Sequence, residues 1–136
     1  MPKGFVMRAI LQPVEVIVQA EQDAHVRAVR ADAAAIADYL QRLLGQKITA
    51  DMAGTRDPKA VGKWARREQD PRPTALARLR TAYHVALLLE SAYGQSAVRA
   101  WFVQMNPYLD QHAPASRIGV DPRGVYQAAR AFVHGY

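Results

Sequence analysis

Start and stop signals for helices recur at short intervals along this chain and limit it to a stack of short helices. Asp57-Pro58 and Asp121-Pro122 repeat one signature, an aspartate placed to cap a helix followed by a proline at the first helical position. There the missing proline N–H leaves no hydrogen bond unmade. Asp70-Pro71-Arg72-Pro73 and Asn106-Pro107 act as breakers, and Gly45, Gly54, Gly94 and Gly135 each follow an apolar-periodic run. Glycine in that position closes a helix.

Between these marks the apolar spacing is helical. Ile36, Leu40, Leu43 and Leu44 form one stripe on a helix that begins at Asp32 and stops at Gly45. A short element over 49–53 ends at Gly54. The next helix opens at Asp57-Pro58 and runs to Glu68. Thr74 is expected to cap a longer helix that turns Leu76, Leu79, Tyr83, Ala86, Leu87 and Tyr93 inward, with Gly94 at its end. Ser96 opens a helix through Trp101 to Met105, residues 114–118 read as a single turn, and the last helix faces Val125, Ala128, Ala129, Phe132 and Val133 inward. Nothing after residue 30 reads as a strand, so the fold class is all-α. Residues 1–30 are an N-terminal extension in which β-friendly valines and isoleucines are compatible with a strand or a helix.

Composition narrows the function classes. Half of the 136 residues are apolar, enough for a modest core, and a chain of this size favours oligomerisation. Without cysteine there are no disulfides, thiolate metal sites or cysteine nucleophiles. No apolar run approaches bilayer thickness, and Arg8 interrupts an N-terminal stretch that has no small-residue cleavage site. The expectation is a cytoplasmic protein with no membrane partner. The histidines His25, His84, His112 and His134 show no metalloprotease spacing, and Asp110-x-His112 is the one close acid–imidazole pair. No glycine-rich phosphate loop is present. Neither catalytic residues, a metal nor a cofactor is expected, and His84 reads as a packed residue.

Charge is concentrated. From Arg56 to Arg80 eight basic residues face three acidic ones, a net +5 out of the chain's +6. With Lys59 as origin and 100° per residue, Lys63, Arg66 and Arg67 fall within roughly 80° of it. Val61, Trp64 and Ala65 lie opposite. Arg56, Lys59, Lys63, Arg66 and Arg67 are the candidate DNA-contacting residues, with a tight Gly54–Asp57 turn before them, as in a helix-turn-helix. A solvated basic face is the other reading.

Two segments carry a resemblance. A tryptophan helix (Trp101), an asparagine-x-x-leucine turn (Asn106 to Leu109), a proline-led turn at Pro114 and a last helix closed by Gly135 occur in that order. Upstream, Pro58-Lys59-Ala60-Val61-Gly62-Lys63-Trp64 places a valine ahead of a lysine and a tryptophan. Together these resemble the MbcA/ParS/Xre antitoxin family over about residues 32–136. The resemblance implies an Xre-like helix-turn-helix region over 31–94 and a small helical toxin-binding domain over 95–136. It implies a partner that is a RES-domain toxin, with an ADP-ribosyltransferase-like fold that consumes NAD. The antitoxin would cover its active-site mouth, form a homo-oligomer or a hetero-oligomer with the toxin, and in many members repress its own operon. Asn106, Tyr108, Leu109, His112, Pro114 and Tyr136 are the candidate toxin-binding residues; Trp101 and Phe132 read as core. Tyr136 is either a plug whose ring and carboxylate enter a toxin cleft or a frayed end. The chain departs from the family in a shortened positioning helix, and a plug ending at Tyr136 would be short. A stand-alone helix-turn-helix regulator whose C-terminal helices only dimerise is the alternative.

Overall fold

The computed structural model describes residues 14–135, and among them the protein is all-helical, without a strand. The elements are α1 (Val14–Arg30), α2 (Ala33–Leu44), α3 (Gln46–Ala53), α4 (Lys59–Ala65), α5 (Pro73–Tyr93), α6 (Gln95–Val103), a 3-10 turn (Pro107–Leu109), α7 (Pro114–Arg117) and α8 (Pro122–His134).

The ambiguous N-terminal segment resolves, from Val14 onward, into a helix. Its β-branched residues are weak helix formers, but burial of Ile17, Ala24 and Ala28 on one face against α5 overrides propensity. Arg80 on α5 fixes the far end of α1, donating from Nη1 to the carbonyls of Ala28 and Ala31, both at 2.8 Å. Asp32 then caps α2, its Oδ1 accepting from the Ala35 amide at 2.9 Å. The expected stripe of Ile36, Leu40, Leu43 and Leu44 is buried.

Several boundaries differ from the sequence expectation for local reasons. Helix α3 begins at Gln46 rather than 49, because Gly45 (φ 88°) both ends α2 and starts α3. Thr49 is therefore inside the helix, its hydroxyl donating to Gly45 O at 2.8 Å. Helix α3 is consequently eight residues long, about two turns. Helix α4 stops at Ala65, short of Glu68, because Arg67 takes a left-handed conformation (φ 63°). Asp57 forms the turn ahead of α4, accepting from the Lys59 amide at 3.0 Å. Thr74 does not cap α5, which starts at Pro73 behind an extended Arg72. Helix α6 ends at Val103, leaving Met105 outside it.

Helix α5 is the hub. From Ala82 to Leu89 it is buried almost all round, as expected of a helix enclosed by others. Helices α1, α2, α3, α6 and α8 all pack on it, and Tyr39 of α2 donates its hydroxyl proton to Glu90. Buried residues from α1 through α8 form a continuous core. Asp121 caps α8 as its sequence signature requires, accepting from Gly124 N at 2.9 Å. Phe132 is a correction: its position on the helix is right, but it is 44% exposed. The last turn of α8 reaches the end of α5, where the half-exposed ring of Tyr93 lies 5.0 Å away. Among the described residues no helix is long and apolar enough to cross a membrane.

Candidate functional site

Two surfaces collect the residues singled out in the sequence. The first is the loop over 106–112. Asn106 organises it: the side chain accepts from the Tyr108 amide at 2.9 Å, the carbonyl accepts from the amides of Leu109 and Gln111, and the amide donates to His112 O at 3.1 Å. His112 closes the ring of bonds, with its amide and its Nδ1 both directed at Leu109 O, at 2.9 and 3.0 Å. Asp110 and Gln111 are held left-handed (φ 54° and 66°). Non-glycine residues in that region are strained, and consecutive ones persist only where surrounding bonds over-determine them.

This network separates the predicted toxin-binding residues into two groups. Asn106, Leu109 and Pro114 are buried and support the loop from beneath. Tyr108 is 58% exposed, and His112 is also at the surface. Met105, which the sequence assigned to a helix end, stands 74% exposed at the entrance to the loop. Its position between the last helical residue and Asn-Pro was the available signal. Trp101 is buried, as read from its helical setting. Tyr136 lies outside the described residues.

The second surface is basic. Val61 and Trp64 are buried, so α4 turns the opposite side outward. Gly62 is also buried, and a Cβ there would lie 2.8 Å from Gln46 Nε2, the end of a flexible side chain at the start of α3. Arg56, Lys59 and Lys63 are exposed and form no ion pair among the described residues. Arg66 and Arg67, grouped with them in the sequence reading, are engaged internally. Arg66 pairs with Glu68 at 2.7 Å, holding the carboxyl of Glu68 below its usual range, and Arg67 pairs with Asp32 at 2.9 Å. The Ala35 amide and then Arg67 lower the Asp32 carboxyl as well. Of the five candidates, Arg56, Lys59 and Lys63 are thus the ones left without an ion pair among the described residues. Replacing Lys59 and Lys63 together by alanine is expected to weaken DNA binding equally across sequences and to reduce its log–log salt slope by about 2, measured by fluorescence anisotropy. An unchanged slope would remove α4 from any DNA interface.

A third group is partly buried. His84 packs between His25 and Tyr126, with ring centroids 5.5 and 4.8 Å away, and its Nε2 has no hydrogen-bond partner among the described residues. Burial pushes its pKa below the ordinary 6.5, His25 adds to the shift, and Glu21 opposes it. Folding therefore favours neutral His84. Its contribution is intact above pH 6.5 and is lost as pH falls through 6.5 toward the lower folded value, beyond which the loss levels off. Thermal melts from pH 7.5 to 5.5 should show the native chain losing more stability than His84→Asn; parallel profiles would exclude this role.

No cluster of three or more His, Cys, Asp or Glu among the described residues is placed to hold a metal ion. Comparison with protein-family models, curated proteins and solved structures found no match to this chain.

Proposed function

We propose that this protein is the antitoxin of a toxin–antitoxin pair and neutralises a RES-domain, NAD-consuming toxin by covering its active site. The observation that carries this reading is the 106–112 loop. Its backbone is fixed by six hydrogen bonds involving Asn106, Leu109 or His112, and above that frame it exposes Tyr108, His112 and the adjoining Met105. A rigid turn loses little entropy on binding, and exposed aromatic side chains are the usual anchors of protein interfaces. The order Trp101, Asn106, Leu109, Pro114, Gly135, which resembles the antitoxin family's toxin-binding domain, supports the same assignment. Non-enzymatic binding fits this surface: Tyr108 and Met105 supply contact area, not chemistry.

Helices α3 and α4, joined by the 54–58 turn and both packed on α2, provide a helix-turn-helix in this reading. Arg56, Lys59 and Lys63 would then meet operator phosphates and allow the protein to repress its own operon. The same exposed cations favour the second reading, a stand-alone regulator whose C-terminal helices serve only for self-association.

A DNase-treated, high-salt pull-down from native cells, with the partner identified by mass, separates the two. Antitoxin function requires a stoichiometric protein partner that consumes NAD when freed and stops when this chain is restored. Recovery of the chain alone, as a homodimer that shifts its own promoter, establishes the regulator instead.

A further inference from the structure

A pocket of about 390 Å³ lies where α3 meets α6 and α7. Its walls are mainly apolar, from Ile48, Phe102, Val103 and Val120. Val103 and Val120 are left 48% and 68% exposed. One cation lines it. Arg78, projecting from α5, is only partly exposed and has neither an ion pair nor a hydrogen bond among the described residues. Its guanidinium is held between two glycines. A Cβ at Gly54 would come within 2.2 Å of Arg78 Nη1, and one at Gly119 within 2.9 Å of Cζ and 3.1 Å of Nε. The absence of both side chains gives the guanidinium its place. Asp51 also lines the pocket, but its carboxylate is engaged by Lys47 at 3.3 Å on the same helix.

Half-buried guanidinium groups ordinarily have a carboxylate or a backbone oxygen as partner, because a poorly hydrated charge is unfavourable without one. Pockets of this size with apolar walls and a single well-placed polar group suit small ligands. We propose that this pocket binds a small carboxylate carried on an apolar group, with Arg78 as its counter-ion. The carboxylate accepts hydrogen bonds from the guanidinium, and the aliphatic or aromatic body lies against Ile48, Val103 and Val120. A phosphate would match the charge but leave those apolar walls uncovered. Since the walls come from α3 on one side and α6 and α7 on the other, an occupant would link the support of the basic face to the support of the 106–112 loop. This assignment does not rest on the antitoxin reading, because its readout is direct binding.

The test is a methyl-detected NMR titration of the full chain with 4-methylpentanoate and 3-phenylpropanoate, each beside its uncharged amide. Saturable shifts at Ile48, Val103 and Val120 are expected with at least one acid, at an affinity about tenfold or more above that of its amide. Arg78→Gln should abolish the preference for the acid. Gly119→Ala, which displaces only the end of a flexible side chain, should weaken it, and this variant decides the question if Arg78→Gln fails to fold. Equal binding of acid and amide, full affinity in Arg78→Gln, or no saturable shift with either acid would each overturn the assignment.

Discussion

Phe102→Ala is expected to lower the unfolding free energy by about 3–5 kcal/mol. Phe102 is wholly inaccessible and heads the set of large, fully buried side chains. Its ring meets Trp101 edge-on at 5.3 Å, and α6, which carries both, packs against α2, α5 and α7. Deleting the ring removes apolar area from the core and leaves a void that short helices can close only in part. Domains of this size are stable by about 5–15 kcal/mol, so the loss is at least about a fifth of the total. Urea unfolding followed by circular dichroism measures it directly. Phe132→Ala is the internal comparison: the partly exposed ring should contribute about 1 kcal/mol or less. Equal losses at the two positions would mean that α8 buries Phe132 after all.

Tyr108→Ala, under the proposed function, should weaken toxin binding by about 30- to 1000-fold, corresponding to about 2–4 kcal/mol for an anchor residue. The melting temperature should stay within a degree or two, since the side chain is largely in solvent and the loop bonds use its backbone. Asn106→Ala should behave differently. It removes the side-chain acceptor of the Tyr108 amide at the head of the loop while keeping the backbone bonds, so affinity and stability fall together. Isothermal titration with the purified partner, read beside thermal melts, distinguishes the two variants. Undiminished affinity in Tyr108→Ala would exclude the loop as the contact.

Most of the helical plan is legible in the sequence because its signals are local. Asp32, Asp121 and the glycines at 45, 54, 94 and 135 act within a turn of their own position, and each marks a helix boundary. What could not be read depends on distant partners. Nothing near Val14 announces that α5 will cover Ile17, Ala24 and Ala28, so the segment stayed ambiguous between strand and helix. The early stop at Ala65 depends on Arg67, whose left-handed backbone is accompanied by an ion pair with Asp32, 35 positions earlier. The candidate sites divide the same way. Tyr108 and His112 were accessible as turn residues, and the basic face of α4 followed from angular spacing. The burial of Asn106 and Leu109, the internal pairing of Arg66 and Arg67, and the lodging of Arg78 between Gly54 and Gly119 are three-dimensional facts without a local pattern.

The enclosure of α5 also bears on how this protein tolerates change in length. One residue inserted near its middle would rotate everything beyond it by about 100° and advance it by about 1.5 Å. The surfaces that receive α1 and α8 would then no longer be in phase with those that receive α2 and α3. A duplication or deletion of a single codon there is thus far more damaging than most substitutions at the same place. Over 66–72, by contrast, an extra residue has only the chain between two helices to lengthen. Length variants that still fold should cluster in such connectors and spare the interior of α5.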